Sequence, residues 1–202
     1  MRRWPIVPTV VVALAVTAMI GLGLWQLLIR LPAKEAQIAQ LSANPSLPPV
    51  AFPRAPDDSL LFRRASVMCA DVTAIGRAGA GNAGYRLIAD CRTGAEGPAV
   101  RVQLGTTRDP MKMVRWGGGA VSGWISHAPD ATPLIARLFD DTPQQMLLVA
   151  DRPVADLAAN TRPDVGLVPN NHLAYAGQWF FFALVAAVIY VVAVRRRVRR
   201  AT

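Results

Sequence analysis

Reactive side chains are scarce in this chain, whose 202 residues include two cysteines, two histidines and 13 acids. Cys69 and Cys91 stand too far apart for a C-x-x-C motif, and His127 and His172 too far apart for H-E-x-x-H. No Walker A loop and no G-x-S-x-G occurs. Gly79-Ala80-Gly81-Asn82-Ala83-Gly84 matches the dinucleotide fingerprint G-x-G-x-x-G in letters only. That fingerprint needs a helix to follow, so that its N-terminus meets the pyrophosphate, whereas Tyr85-Arg86-Leu87-Ile88 reads as a strand. The segment reads as a hairpin loop, and Gly117-Gly118-Gly119 as a turn. His127 lies near Asp130, but Pro129 between them points to a surface turn rather than to an acid–base site. No self-contained catalytic centre is expected, and the chain reads as a non-enzyme.

Charge is also scarce, at 17% of residues, and its distribution is uneven. All 13 acids and 15 of the 22 bases lie between Arg30 and Asp164, a region that therefore carries only +2 of the net +9. The other seven bases are Arg2, Arg3 and five arginines within 195–200. A nucleic-acid binder concentrates its bases on a folded face, so that partner class is excluded. Here the basic tips flank two apolar runs. Ile6–Ile29 is 24 residues without a charge, about 36 Å as a helix against a hydrocarbon core of about 30 Å. Leu173–Val194 adds 22 more and ends against Arg195-Arg196-Arg197. The first run follows Met1-Arg2-Arg3 as a signal peptide would, but it is long, and Trp25-Gln26-Leu27 suits no small-residue cleavage site. It reads as an uncleaved anchor. Positive residues stay cytoplasmic, which places both termini inside and the region between the spans outside. In a bacterium that side is the periplasm, and the membrane is the inner one.

Trp4 and Trp25 bracket the first span, with Trp179 and Tyr190 inside the second and Tyr175 near its outer end. Ala13, Thr17 and Gly21 recur every four positions on the first helix, and Ala176, Ala183 and Ala187 mark a similar face on the second. Such faces permit close helix contact in lipid, or they reflect alanine richness alone.

The expected organisation is a cytoplasmic tip (1–5), a transmembrane helix (6–29), and an amphipathic segment with a Pro-rich connector (30–59). A β-rich extracytoplasmic domain (60–151) follows, then a Pro-containing return segment (152–170), a transmembrane helix (171–194) and a basic cytoplasmic tail (195–202). Within the connector, Leu31–Leu41 is amphipathic, and five prolines from Pro45 to Pro56 enforce an extended chain. Candidate strands fall at 65–75, 84–91, 98–106, 119–127 and 145–151. One helix is expected near 132–139, N-capped by Thr132, started by Pro133 and presenting Leu134, Ile135, Leu138 and Phe139. The fold class is thus two transmembrane helices flanking a small, mostly antiparallel β extramembrane domain.

If strands 65–75 and 84–91 form a hairpin centred near Ala80, Cys69 and Cys91 stand opposite each other and can form a disulfide on an oxidising side of a membrane. Free thiols or copper ligands are the alternatives. A hairpin of helices also sets the outer end of the first span level with the start of the second. His172, Tyr175 and Trp179 then share one helix face, while Gln26 and Arg30 share another near Trp25. An imidazole above an aromatic stripe with a nearby guanidinium suits a haem: iron on the imidazole, porphyrin on the rings, propionates on arginine. Ordinary interfacial belt residues, with Asn170 or Asn171 capping the helix, would read the same way.

At these residues the chain resembles a known family. Gly23-Leu24-Trp25-Gln26, followed by Arg30-Leu31 and Lys34, is similar to the N-terminal signature of the surfeit-locus (Surf/Shy) cytochrome c oxidase assembly proteins. Pro169-Asn170-Asn171-His172-Leu173-Ala174-Tyr175-Ala176, with Trp179-Phe180, resembles their C-terminal signature. Phe62–Val67 and Asn82–Tyr85 resemble the family's first outer strands, whereas its N-R-G-W segment is not evident. The resemblance implies a non-enzymatic factor that helps mature oxidase subunit I by handling haem a. His172 is then the candidate iron ligand, and Trp25, Gln26, Arg30, Tyr175 and Trp179 form the surrounding contact surface. The implied partners are subunit I, the haem a synthase, other oxidase assembly factors and the lipid bilayer. A non-haem scaffold, an accessory subunit of a respiratory complex, and a thiol or copper carrier using Cys69 and Cys91 are the rival readings.

Overall fold

A computed structural model of the chain describes residues 5–95, 97–130, 132–133, 135–136, 139–140, 142–154 and 156–199. Residues up to Ile38, together with those from Val168 onward, form one compact unit, and Ala39–Leu167 form a second. Trp4, Arg2, Arg3 and Arg200 lie outside the described residues.

The first unit is helical. Helix α1 (Ile6–Trp25) passes through one π-helical turn, Gln26–Arg30, into α2 (Leu31–Ala43), and α3 spans His172–Arg199. Both α1 and α3 are long and apolar enough to cross a membrane. Their outer faces expose large apolar side chains, among them Val7, Leu14, Phe181, Leu184 and Ile189, each more than half exposed. Such a surface is far more apolar than a water-facing helix pair tolerates, and it suits a hydrocarbon surround. Thr9 hydrogen-bonds Tyr190, and Gln26 hydrogen-bonds His172, so α1 and α3 run antiparallel.

The contact seam explains how they pack. The α1 seam includes Thr9, Val12, Val16, Met19 and Gly23 and continues to Gln26 of the π-turn; the α3 seam includes His172, Ala176, Trp179, Ala183, Ala186 and Tyr190, with Phe180 and Ala187 beside it also losing exposure. Alternating steps of three and four average 3.5 residues, the period that keeps two helices facing each other along their length. Ala176 and Ala183 are buried, as their spacing suggested. Ala13, Thr17 and Gly21 are exposed, and a Cβ at Gly21 would meet nothing within 4 Å. The close approach is at Gly23, where a Cβ would stand 2.6 Å from Phe180 Cε1.

The second unit is a seven-stranded sheet: β1 (Val50–Ala51), β2 (Arg64–Cys69), β3 (Asp71–Gly79), β4 (Tyr85–Arg92), β5 (Ala99–Thr107), β6 (Gly119–His127) and β7 (Met146–Ala150). Their order is β1-β2-β6-β7-β5-β4-β3. The sheet is mixed, which corrects the expectation of a mostly antiparallel one: β1 runs parallel to β2, and β7 parallel to β5. Strand direction is set by connections, and alternation of side chains does not encode it. β7 inserts between β5 and β6, and all five of its residues are buried, as befits a strand covered on both faces. Leu104, Ile125, Leu147 and Leu148 are the largest side chains of this core that are fully buried.

A single strand over 65–75 does not form. Ala70 alone separates β2 from β3, and the two lie far apart in the strand order, so a bend in one stretch of chain joins distant parts of the sheet. The helix expected near 132–139 falls partly on Leu134 and Leu138, which lie outside the described residues. Ile135 and Phe139 are exposed, and Thr132 N–H donates to Asp130 Oδ1 in a local turn. Val154 and residues 156–160 return along β5, with Val154 N–H donating to Leu104 O and Thr106 and Ala158 exchanging backbone hydrogen bonds.

Candidate functional site

The site lies where α1 ends and α3 begins. His172 is the first residue of α3, and Asn171 occupies the preceding position, its carbonyl accepting from Tyr175 N–H at 3.0 Å. His172 Nδ1 lies 2.7 Å from Gln26 Oε1, which ties the start of α3 to the end of α1. Gln26 is itself held by its backbone: its N–H bonds the carbonyls of Leu22 and Gly23, and its carbonyl accepts from Leu31 N–H. That last bond spans five residues and is the mark of the π-turn, a feature that recurs at functional positions in helices.

The π-turn also decides what Arg30 touches. Five residues apart, Trp25 and Arg30 diverge on an α-helix, but the wider turn stacks them. The guanidinium carbon stands 5.5 Å from the Trp25 ring centre. The chain thereby presents an arginine charge over an indole that is 43% exposed. Tyr175, one turn along α3, is 47% exposed, and Trp179 is half-buried in the seam, edge-on to Phe182 at 6.5 Å. Asn170 Oδ1 is buried with no hydrogen-bond partner among the described residues. An acceptor unsatisfied by its own chain costs about 1–3 kcal/mol unless a donor arrives from outside.

Of the six site residues singled out in the sequence, two pairs come together: His172 with Gln26, and Arg30 with Trp25. Tyr175 and Trp179 follow His172 on the same helix at the expected spacing. Two further participants were named in the sequence only as part of a family signature (Gly23) and as a candidate helix cap (Asn170). Gly23 carries the close contact with Phe180, detectable only on a 3.5-residue period, and Asn170 carries the unsatisfied oxygen.

Cys69 and Cys91 are disulfide-bonded and buried, with Cα atoms 5.4 Å apart. Their proximity does not come from an opposed register. The hairpin turns at Gly81–Ala83, and Cys91 faces Val72. It is the bend at Ala70, whose N–H bonds Arg92 O at 2.8 Å, that brings Cys69 to Cys91. Gly118 closes the corner in the left-handed region (φ +94°), where a Cβ would strike Cys69 O. His127 pairs with Asp58 at 2.8 Å rather than with Asp130. Among the described residues, no group of three or more His, Cys, Asp or Glu is arranged to hold a metal ion.

A family model described as SURF1 family matches residues 13–184 of the chain. The matched span contains both Gly23–Arg30 and Pro169–Phe180. No curated protein matches the chain.

Proposed function

The chain belongs to the SURF1 family, which is associated with cytochrome c oxidase assembly, and on that premise we propose that it receives haem a on its helix hairpin and passes it to oxidase subunit I. The observation that carries this reading is the His172–Gln26 pair: the histidine stands at a helix start, half-buried, in reach of a ligand. The donor set fits a haem. The imidazole would supply a nitrogen ligand, the guanidinium would pair with propionates, and exposed Trp25 and Tyr175 would offer flat apolar faces. Asn170 adds an acceptor for a polar substituent.

Haem a is cargo here, and the redox chemistry of its iron belongs to the oxidase that receives it. The hairpin's own task is to bind, orient and release. One imidazole and an open aromatic surface hold the macrocycle without enclosing it, which favours transfer over storage. In this reading α1 and α3 span the bacterial inner membrane, both termini are cytoplasmic, and the sheet unit stands in the periplasm. Seven arginines at the two tips support that orientation. Subunit I, the haem a synthase and other assembly factors are the proposed partners, and no catalysis is assigned to the chain.

The test is an optical and pyridine-haemochrome spectrum of detergent-purified protein co-expressed with a haem a synthase. Wild-type protein should carry a haem a band that is lost or shifted in His172→Ala. Wild-type protein without haem, although haem a is available, would leave a scaffold that holds an assembly intermediate by protein contacts alone.

A further inference from the structure

The two histidines of the chain offer opposite ring nitrogens to their partners. His127 meets Asp58 Oδ1 through Nε2 at 2.8 Å, whereas His172 meets Gln26 Oε1 through Nδ1 at 2.7 Å. An amide oxygen only accepts, so the nitrogen facing it carries the hydrogen. A neutral imidazole has one hydrogen and one lone pair, and assigning the hydrogen to Nδ1 assigns the lone pair to Nε2, at the far side of the ring. We infer that Gln26 is a positioning residue that holds His172 as the Nδ1–H tautomer and so selects Nε2 as its ligating nitrogen.

Three features suit Gln26 to this task. Its backbone is fixed at both ends, by the carbonyls of Leu22 and Gly23 and by the π-turn bond from Leu31. Its side chain occupies the last position of the α1 seam, opposite the first position of the α3 seam, so helix packing rather than chance proximity sets the distance. The packing is itself tight one turn earlier, at Gly23 against Phe180. A partner on the second nitrogen commonly orients a metal-bound imidazole and raises its basicity. Leucine at this position would leave the ring free to turn and Nδ1–H without an acceptor. A glutamate would keep an acceptor oxygen in place.

The assignment of the tautomer stands on the apo geometry, while its use in ligation rests on the haem reading above, and the experiment separates the two. Full-length protein labelled with [15N]histidine and free of haem is examined by NMR in detergent at a pH above about 8, where ordinary imidazoles are neutral. Only two histidines contribute, and His172→Ala identifies which signals are which. His172 should show a protonated Nδ1 and an unprotonated Nε2, with His127 the reverse. In Gln26→Leu the His172 signals should relax to a tautomer mixture while those of His127 stay, and Gln26→Glu should restore the wild-type pattern. A protonated Nε2 on His172 in the wild type, or an unchanged pattern in Gln26→Leu, would overturn the inference. Titration with haem a then tests ligation: Gln26→Leu should weaken binding about 10–100-fold, with Gln26→Glu close to wild type. Equal affinity in Gln26→Leu despite a lost tautomer would overturn the role in ligation. Absence of haem binding in the wild type would overturn the haem reading while leaving the tautomer result intact.

Discussion

At the scale of single residues, polar groups inside the sheet unit are arranged to satisfy one another. Gln103 is buried, and Asn160 from the return segment closes on it: Gln103 Nε2 donates to Asn160 Oδ1 at 2.7 Å, and Asn160 Nδ2 donates to the carbonyls of Gln103 and Ala150. Asn160→Leu removes one hydrogen-bond partner from each of those three groups, and a loss of about 1–3 kcal/mol in denaturation of the sheet unit is expected. A surface pair sets a pH response. Lys112 Nζ donates to Asp156 at 2.6 Å and holds that carboxyl below its ordinary value. A depressed carboxylate contributes stability above its unfolded value, about 3.9, and that contribution is lost as pH falls through the lower folded value. Asp156→Asn should therefore be slightly less stable than the wild type at neutral pH, with the difference vanishing as pH falls through the lowered folded value, so that the acid side of the profile flattens.

At the scale of elements, the seam and the disulfide make the sharpest demands. Gly23→Leu should force Phe180 aside and part α1 from α3, whereas Gly21→Leu should be tolerated, because only the first meets a neighbour. Engineered cysteines replacing Thr9 and Tyr190, which touch across the pair, give the readout: cross-linking efficiency falls with Gly23→Leu and not with Gly21→Leu. The disulfide closes a loop of 22 residues, and its removal by Cys69→Ser with Cys91→Ser should cost the sheet unit about 3 kcal/mol. Thiol or copper chemistry would need both sulfurs free, whereas full oxidase maturation by this double variant would assign them a structural role. Much of this level was legible in the sequence. Charge-free runs announced α1 and α3, and β6 falls on 119–127 as its alternation suggests. The bend at Ala70 had no glycine or proline to announce it. Of the two readings of the small-residue repeat on α1, the exposure of Ala13, Thr17 and Gly21 favours composition alone, because packing follows a 3.5-residue repeat instead. The π-turn left no mark in composition, although it decides that Arg30 lies over Trp25.

At the scale of the whole molecule, the chain comprises a helical unit and a sheet unit. The candidate site was legible because its residues sit at two helix ends whose levels a two-span hairpin must match. Its internal pairing was not, since hydrogen-bond partners depend on rotation about each helix axis. The central claim is that His172 handles haem a on its way to subunit I. The most direct test is the haem a content of subunit I isolated from cells in which this chain is replaced by His172→Ala, at matched levels of both proteins. The account predicts subunit I present but depleted in haem a. Subunit I with its full haem a complement beside His172→Ala would contradict it.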